Sequence, residues 1–299
     1  MPINISTPDA IFRWKPMCWL RVTGDDAASF LQGQFTNDLR LLEKSAAVYG
    51  LWLTVKGKVL ADSFVLRGGD PHEFWIGSYY SPSATIRERL ESHVIADDVM
   101  IEDLTSQWGG IAFFGSESGG ALAWPPATGR FVFRGRRDRS ATMEWIYPLA
   151  EGEPAEAHAP NATVLNDEEV ARRRIAAGIP AIPIDVGPTD LPNEAGLEAD
   201  AISYVKGCYL GQEVMARLKS LGQVRRRLWR VHGDGMPPPS LPVPVFAMAR
   251  QVGELRSAVS DGQGHWIGLA MVSLMHVAQG TALAFAPNGP VDLRVNAEP

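Results

Sequence analysis

The sequence predicts α+β domains followed by an all-β unit at the C-terminus. Short apolar strands and amphipathic helices are mixed through most of the chain, without the regular strand–helix–strand alternation of a parallel sheet. In the last quarter, prolines and short β-like segments replace any helical period, which favours a small β-barrel or sandwich. The chain has 299 residues, roughly twice the usual domain size, so the sequence excludes one small domain.

Runs of β-branched and aromatic residues mark the predicted strands. The first run covers 17–22, and the next two cover 47–54 and 59–66 around a hairpin signal at 55–58. Four shorter segments continue the β pattern: 74–76, 111–114, 131–133 and 143–146.

Helical signals are clearest at 166–178. Asn166 and Glu169 have the spacing of a capping box, acids fill the first turn, arginines fill the last turn, and Gly178 follows as the C-cap. We expect three other helices: one that begins after Asp25 and ends at Gly33, one after Pro82, and one over 208–218.

Charge and cysteine content limit the possible functions. The net charge of −6 argues against attachment to nucleic acid or membrane by global charge, although a local basic patch remains open. Cys18 and Cys208 are too far apart in sequence for a disulfide framework or a zinc site built from CxxC pairs, so we expect no metal site. The chain also lacks a signal-peptide pattern and a long apolar run, so we expect a cytoplasmic protein without membrane contact.

The densest group of chemically interesting residues is the motif KGCYLGQE at 206–213. The spacing of the apolar residues that follow predicts a helix whose first turn holds Cys208. There, the helix dipole and the Lys206 ammonium would both stabilise a thiolate, which predicts an activated cysteine. The motif also contributes these candidate site residues: Gly207, Tyr209, Gly211, Gln212 and Glu213. In the alternative interpretation, Cys208 is a small buried hydrophobic residue.

A basic stretch follows the motif and contains Arg217, Lys219, Arg225, Arg226, Arg227 and Arg230. Its cations would attract tRNA or the glutamate tail of a folate, whereas the alternative is a solvated edge strand protected by charge. Four aromatic residues could stack on a flat heterocycle, although aromatic residues in strands more often belong to the core: Trp14, Trp19, Phe35 and Trp52.

Four blocks of the sequence resemble, in order, the motifs of YgfZ-type folate-binding proteins, which are relatives of the glycine-cleavage aminomethyltransferase. They read LQGQFTND at 31–38, GKVLAD at 57–62, RIAAGIP at 174–180 and KGCYLGQE at 206–213. The resemblance implies a three-domain ring around a central tetrahydrofolate cavity. Two interleaved α+β domains at 1–223 would form the folate-binding body, and 224–299 would form the C-terminal β-barrel.

The resemblance also implies a function in iron–sulfur protein assembly or repair, with tRNA methylthiotransferases among the clients. The working thiol would be Cys208, with Lys206 beside it. The expected cofactor is tetrahydrofolate or a related reduced folate, and the candidate contacts are Phe35, Asn37, Trp52 and Arg217. We expect an accessory factor and no metal site of its own.

The main alternative is a folate-dependent aminomethyl or one-carbon transferase. The sequence departs from that enzyme where an Arg-Leu-Glu-Ala-Gly run would supply a glutamate to the pterin, because this chain has Ala176 at that position. An aspartate pair is also reduced to Ala61-Asp62. A third possibility is an RNA-binding module that acts through the basic stretch.

Overall fold

The computed structural model describes residues 8–115, 130–153 and 159–296. The strands are β1 (Ala10–Trp14), β2 (Cys18–Thr23), β3 (Ala47–Leu53), β4 (Val59–Arg67), β5 (Glu73–Ser78), β6 (Met100–Asp103), β7 (Trp108–Phe114), β8 (Phe131–Arg134), β9 (Thr142–Pro148), β10 (Thr163–Val164), β11 (Arg226–Asp234), β12 (Val243–Ala247), β13 (Arg250–Ser260), β14 (His265–Ser273), β15 (Ala282–Leu283) and β16 (Leu293–Val295). The α-helices are α1 (Ala27–Gln34), α2 (Ser83–Glu91), α3 (Asp167–Ala176) and α4 (Gln212–Leu221).

Two sheets form the first part of the molecule, and the chain passes between them. One has the strand order β10-β1-β7-β9-β8 and the other has β3-β4-β5-β2-β6. The chain therefore starts the first sheet with β1, builds the second, and then returns to complete the first. A mainly aromatic cluster with members from both sheets joins them, including Trp19, Trp75, Trp108 and Phe131.

The last strands form a sheet of order β12-β13-β14-β11-β16-β15 in the described part of the chain. A bridge between Phe246 and Ala284 links its two outer strands, so the sheet is nearly closed. Its core contains Val231, Leu255 and Trp266. The predicted α+β class with a terminal β-barrel is therefore confirmed, whereas a domain boundary at residue 223 stays a prediction.

The local patterns give most elements correctly. In α3, the Asn166 side chain accepts a hydrogen bond from the Glu169 backbone amide, and the Glu169 carboxylate accepts one from the Asn166 amide. The predicted capping box is thus confirmed. The end of α1 at Gly33 is wrong by one residue, because the helix continues to Gln34 and Phe35 caps it.

The predicted start of the last helix at Cys208 is wrong, because α4 begins at Gln212. Gly211 precedes it with a φ of +87°, which is a left-handed conformation that L side chains rarely adopt. A Cβ atom on Gly211 would also lie 2.9 Å from the Thr54 carbonyl oxygen. Close contact with the β3–β4 hairpin therefore fixes the helix start.

Buried ion pairs tie the barrel to the rest of the molecule. Arg256 on β13 donates to Asp190 at 2.6 Å and to the Asp185 carbonyl at 2.7 Å. The same Asp190 accepts a hydrogen bond at 3.0 Å from Arg226 on β11. Although burial opposes the charged form, these hydrogen bonds and charges lower the pKa of Asp190. Asp190 is therefore the anion that joins two barrel strands to the loop after α3.

No helix among the described residues is long and apolar enough to cross a membrane.

We predict that Asp190→Ala lowers the free energy of unfolding by about 3–5 kcal/mol, because it leaves the buried Arg256 and the partly exposed Arg226 without their shared carboxylate. Urea denaturation followed by tryptophan fluorescence measures the change. Asp234→Ala is the matched control, since the Asp234 side chain on β11 is 95% exposed. Its loss should cost less than about 1 kcal/mol. Equal effects of the two substitutions would contradict this role for Asp190.

Candidate functional site

The motif at 206–213 forms a loop that leads into α4, with only its last two residues in the helix. Gly207 and Cys208 are exposed, and Cys208 lies four residues before the first residue of α4. The predicted position of the thiol at a helix start is therefore wrong. Cys208 also lies outside the first turn of α4, where a helix dipole mainly acts.

Lys206 holds the beginning of this loop. Its side chain is buried, and its ammonium donates hydrogen bonds to the carbonyl oxygens of Gln32 at 2.6 Å, Phe35 at 2.7 Å and Asn37 at 2.9 Å. These three bonds occupy all three ammonium protons. Burial lowers the pKa of Lys206 to about 8. The ammonium thus binds the backbone at the end of α1 and just after it, and its donors are not directed at the Cys208 thiol.

Buried contacts hold the other end of the loop. Tyr209 belongs to an apolar cluster that includes Ile182, Val186 and Met215. Gln212 accepts a hydrogen bond from the Tyr209 amide at 3.3 Å, and Gly211 lies against the β3–β4 hairpin. Glu213 points outward from the first turn of α4. The loop is therefore fixed on both sides of the exposed pair Gly207 and Cys208.

Cys18 contrasts with Cys208. It lies on β2, is fully buried, and its Sγ atom contacts the Ile76 carbonyl oxygen at 3.6 Å. Burial raises the pKa of the Cys18 thiol well above its ordinary value. Of the two thiols, Cys208 is therefore the one that a reagent or partner can reach.

The predicted folate contacts do not form one pocket. Phe35 and Trp52 are fully buried and pack against each other with ring centroids 4.9 Å apart and ring planes tilted by 48°, so neither presents a free face to a heterocycle. The amide nitrogen of Asn37 donates to the carbonyls of Tyr49 and Asp200. Arg217 is exposed on α4. Trp19 is also fully buried, which leaves Trp14 as the stacking candidate that reaches a cavity.

A cavity of about 720 Å³ lies between the first sheet, the residues after β5, and α3. We call it the aromatic cavity. Its lining contains aromatic rings, cations and one carboxylate: Phe12, Trp14, Tyr79, Tyr80, Tyr147, Arg13, Lys15, Arg137, Arg174 and Asp167. Its volume is in the range that small-molecule sites occupy. Three of the cations are already paired, Arg13 with Glu153, Arg137 with Glu144 and Arg174 with Asp185. The aromatic rings and the exposed Lys15 fit a planar heterocycle with an anionic tail.

Arg137 is the central side chain of this wall. It is 3% exposed, donates to Glu144 at 2.9 Å, and lies over the Tyr79 ring at 3.8 Å and the Trp14 ring at 4.4 Å. The Tyr79 hydroxyl donates to the same Glu144 oxygen at 2.8 Å. Burial and the Glu144 charge raise the pKa of Tyr79 well above its ordinary value, which keeps it a donor. The predictions from sequence missed Arg137, and the only local signal was the pair Arg136-Arg137 between two strands.

Ala176 does not line the aromatic cavity. Residues that face it from α3 are Asp167, Val170, Ala171 and Arg174, which share one helix face, whereas Ala176 is exposed. Asp167, one turn or more before Ala176 on the same helix, supplies the carboxylate in the lining.

The basic stretch is divided between α4 and β11. Arg226 is paired with Glu194 and Asp190, and Arg230 donates to the Ala176 carbonyl. Because β11 pairs with both β14 and β16, the alternative interpretation as an edge strand is wrong. Arg217 and Arg225 are exposed. Among the residues that the structure describes, no group of three or more His, Cys, Asp or Glu side chains could hold a metal ion.

Comparison with known proteins links this fold to two kinds of protein. Residues 7–124 match the family model of the GCVT N-terminal domain. The crystal structure of the glycine cleavage system aminomethyltransferase T from Bartonella henselae superimposes with a TM-score of 0.79 over 97% of this chain and 86% of that chain. Sequence identity is 16%, so this likeness concerns the fold.

Two curated relatives carry the same name, iron–sulfur cluster assembly factor IBA57, mitochondrial. The human protein is 28% identical over 305 residues, which cover 94% of this chain and 84% of the human one. The mouse protein is 30% identical over 284 residues, which cover 87% of this chain and 76% of the mouse one.

We predict that Lys206→Met loosens the exposed loop, because the carbonyls of Gln32, Phe35 and Asn37 lose their shared donor. The expected cost is about 1–3 kcal/mol in unfolding free energy, with faster amide hydrogen exchange at 207–211. Lys56→Met is the matched control because Lys56 is exposed at the tip of the β3–β4 hairpin. Unchanged exchange at 207–211 in Lys206→Met would show that the ammonium does not hold the loop.

Proposed function

This chain belongs to the family of the iron–sulfur cluster assembly factor IBA57, and we propose that it is itself an iron–sulfur cluster assembly factor that works through the Cys208 thiol. One observation carries the proposal. The loop at 206–213 is anchored by the buried residues Lys206 and Tyr209, yet it leaves Cys208 exposed between them. A packing role for Cys208 would not need an exposed side chain. We also propose, from the four sequence blocks at 31–38, 57–62, 174–180 and 206–213, that this chain is a YgfZ-type protein.

A single exposed thiol limits what the chain can do with a cluster. Iron–sulfur clusters are held by about four ligands, most often thiolates. Here Cys18 is buried, so Cys208 would supply at most one thiolate, and a partner protein or small ligand would supply the others. We therefore propose that the cluster is a cargo, which this chain shares with a partner during assembly or transfer. The proposed partners are iron–sulfur assembly proteins and client enzymes.

We also propose that tRNA methylthiotransferases are among the client enzymes. Exposed Arg217 and Arg225 are the groups that a tRNA phosphate would contact, whereas Arg226 is already paired. We also keep the cytoplasm as the proposed compartment, although the two relatives bear the word mitochondrial in their names.

The proposed cofactor is tetrahydrofolate or a related reduced folate, and the aromatic cavity is the place that fits it. Trp14, Tyr79 and Tyr80 contribute aromatic rings, and the exposed Lys15 contributes a positive charge for the glutamate tail, whereas Arg13 is already paired with Glu153. A bound reduced folate supplies a carrier for one-carbon groups. The protein side chains would bind and orient it.

The alternative, an aminomethyltransferase, has less support from the geometry. Asp62 is the residue that remains of the aspartate pair, and it is a buried carboxyl that accepts hydrogen bonds from Ser81 at 2.7 Å, Ser78 at 3.0 Å and Tyr49 at 3.0 Å. Burial raises its pKa. These partners occupy Asp62 in the core, and it does not line the aromatic cavity. The accessory function therefore predicts no tetrahydrofolate-dependent methylene transfer from an aminomethyl donor.

We predict that Cys208→Ser abolishes support of iron–sulfur enzymes while the melting temperature stays within about 1 °C of the wild type, because the side chain is exposed and surface substitutions usually change stability little. Complementation of a strain that lacks the protein and thermal unfolding of the variant provide the two measurements. Full complementation by Cys208→Ser would exclude the thiol as the working group.

Cys18→Ala is the matched control. It removes the other thiol from the core, so it should lower the melting temperature and still support iron–sulfur enzymes at a permissive temperature. Loss of function in both variants at matched protein levels would contradict a special role for Cys208.

We further predict that tetrahydrofolate binds with a dissociation constant in the micromolar range or tighter. A micromolar constant corresponds to a binding free energy of about −8 kcal/mol. Stacking and charge pairing in the aromatic cavity provide the physical reason. Isothermal titration calorimetry measures the affinity. Absence of both a binding heat and a melting shift at saturating tetrahydrofolate would remove the cofactor from the proposal and leave the role of Cys208 standing.

A further inference from the structure

We propose that the surface around Cys208 docks a partner protein whose own surface is acidic. The inference rests on the proposed function, in which a partner supplies the other cluster ligands, and it names the chemistry that recognises this partner. The docking surface consists of the tip of the β3–β4 hairpin at 54–58 and the segment 204–220, which contains the Cys208 loop and most of α4.

Two contacts join the parts of the docking surface. A Cβ atom on Gly211 would lie 3.3 Å from the Cα atom of Gly57, so the hairpin tip packs against the end of the loop. The Lys219 ammonium on α4 lies 4.2 Å from the centre of the Tyr204 ring at the beginning of the segment. Three residues of chain span at most about 11 Å, so Gly211 and the hairpin tip beside it are close to Cys208.

Positive charge dominates this surface, although the whole chain has a net charge of −6. Its exposed or partly exposed ionic side chains are four cations and one carboxylate: Lys56, Lys58, Arg217, Lys219 and Glu213. The ammonium of Lys206 adds a buried cation beneath the loop. The local field therefore attracts carboxylates, in contrast to the field of the chain as a whole.

Two aliphatic side chains project from the same surface. Val205 is 89% exposed and directly precedes the buried Lys206, and Val55 is 68% exposed at the hairpin tip. Interfaces between proteins combine apolar residues with charged ones at the rim. The docking surface offers both kinds of residue around a thiol that is accessible, which suits a protein partner.

RNA is the other polyanion that a positive surface could attract. Proteins that bind single strands stack the bases on exposed aromatic rings, in addition to contacting phosphates. The two tyrosines of the docking surface are otherwise engaged, because Tyr209 is buried and the Lys219 ammonium lies over the Tyr204 ring. The observations therefore favour an acidic protein over an RNA.

The loop is already ordered for this partner. Lys206 and Tyr209 fix the backbone on both sides of Cys208, so docking does not have to order it, which lowers the entropic cost of binding. Carboxylates of the partner would pair with the lysines, and its own thiolates would complete a cluster ligand set with Cys208.

Charged cysteine peptides are defined probes of this surface. Reaction of the full chain with 2,2′-dithiodipyridine places a neutral pyridyl disulfide on Cys208 and leaves the buried Cys18 unlabelled. A peptide thiolate then attacks the Cys208 sulfur, forms a mixed disulfide and releases pyridine-2-thione, whose absorbance gives the rate. Each probe has one cysteine between pairs of glutamates, serines or lysines. Each rate is divided by the rate of the same peptide with the pyridyl disulfide of N-acetylcysteine amide, which corrects for the reactivity of the peptide thiol.

We expect the glutamate peptide to react at least about tenfold faster than the lysine peptide at an ionic strength of about 10 mM, where charges interact over about 30 Å. The ratio should fall below about twofold at about 1 M salt. A field set by the net charge of −6 would give the opposite order. Equal rates, or a faster lysine peptide, would therefore overturn the proposal.

The double variant Lys56→Glu with Lys219→Glu tests the named cations. Both side chains are exposed, so the variant should fold normally and should lose at least about fivefold of the preference for the glutamate peptide. Arg250→Glu with Arg294→Glu is the matched control, because both arginines are exposed on barrel strands and the change in net charge is the same. An equal loss of preference in both double variants would contradict a local docking surface.

Support of iron–sulfur enzymes in a strain that lacks the protein gives the second readout. The Lys56→Glu and Lys219→Glu variant should lower enzyme activity at least about fivefold at an unchanged melting temperature, and the arginine control should not. Full support by the lysine variant would refute the docking surface. Equal peptide rates, together with protection of Cys208 from maleimide by tRNA, would assign the surface to RNA instead.

The outcomes also separate this inference from the proposed function. Full complementation by Cys208→Ser would remove the working thiol, whichever peptide reacts faster. If Cys208→Ser abolishes support but the peptides react equally, the role of the thiol stands and the acidic partner is refuted.

Discussion

The candidate site depends on the hydrogen bonds of the buried Lys206 ammonium. The ammonium joins two parts of the chain that are 174 residues apart at its contact with Gln32 and 169 apart at its contact with Asn37. Removing a cation from water is costly, and three charge-assisted hydrogen bonds to carbonyls offset that cost. Because the ammonium fixes one end of the loop and Tyr209 fixes the other, the backbone around Cys208 is held while its thiol stays accessible.

The exposed thiol and the aromatic cavity lie in different parts of the molecule. Cys208 lies on an exposed loop beside α4, whereas the aromatic cavity lies between the first sheet and α3. Asp190 holds the barrel against the loop after α3 through Arg256 and Arg226. Arg174, which lines the cavity, is paired with Asp185 at 2.6 Å in the same region. Arg174 also donates to the Ser257 hydroxyl on β13 at 3.2 Å, so this wall of the cavity contacts the barrel.

Local patterns predicted the elements whose signals lie within a few residues of each other. The capping box of α3 and the hairpin between β3 and β4 are examples, and both are confirmed. The start of α4 was missed because Gly211 is fixed by its contact with Thr54, far away in sequence. The role of Lys206 was missed for the same reason, since the carbonyls that bind it belong to the end of α1 and to the segment that follows it.

The site residues show the same limit. An aromatic residue in a strand can be core or can line a cavity, and the sequence does not distinguish Trp52, which is fully buried, from Trp14, which reaches the cavity. Arg137 gave no functional signal because its partners, Glu144 and Tyr79, define its role through side-chain packing. Cys208 was identified because the motif around it is contiguous, and the structure adds that its side chain is exposed.

Alkylation of the native protein with a maleimide, followed by peptide mapping and an assay of iron–sulfur enzyme activation, tests the role of the Cys208 thiol most directly. We expect Cys208 to be labelled in the folded protein and Cys18 to be labelled only after unfolding. The alkylated protein should keep its melting temperature and its tetrahydrofolate affinity, and it should no longer support cluster assembly. Full support of cluster assembly after complete labelling of Cys208 would contradict a working role for this thiol.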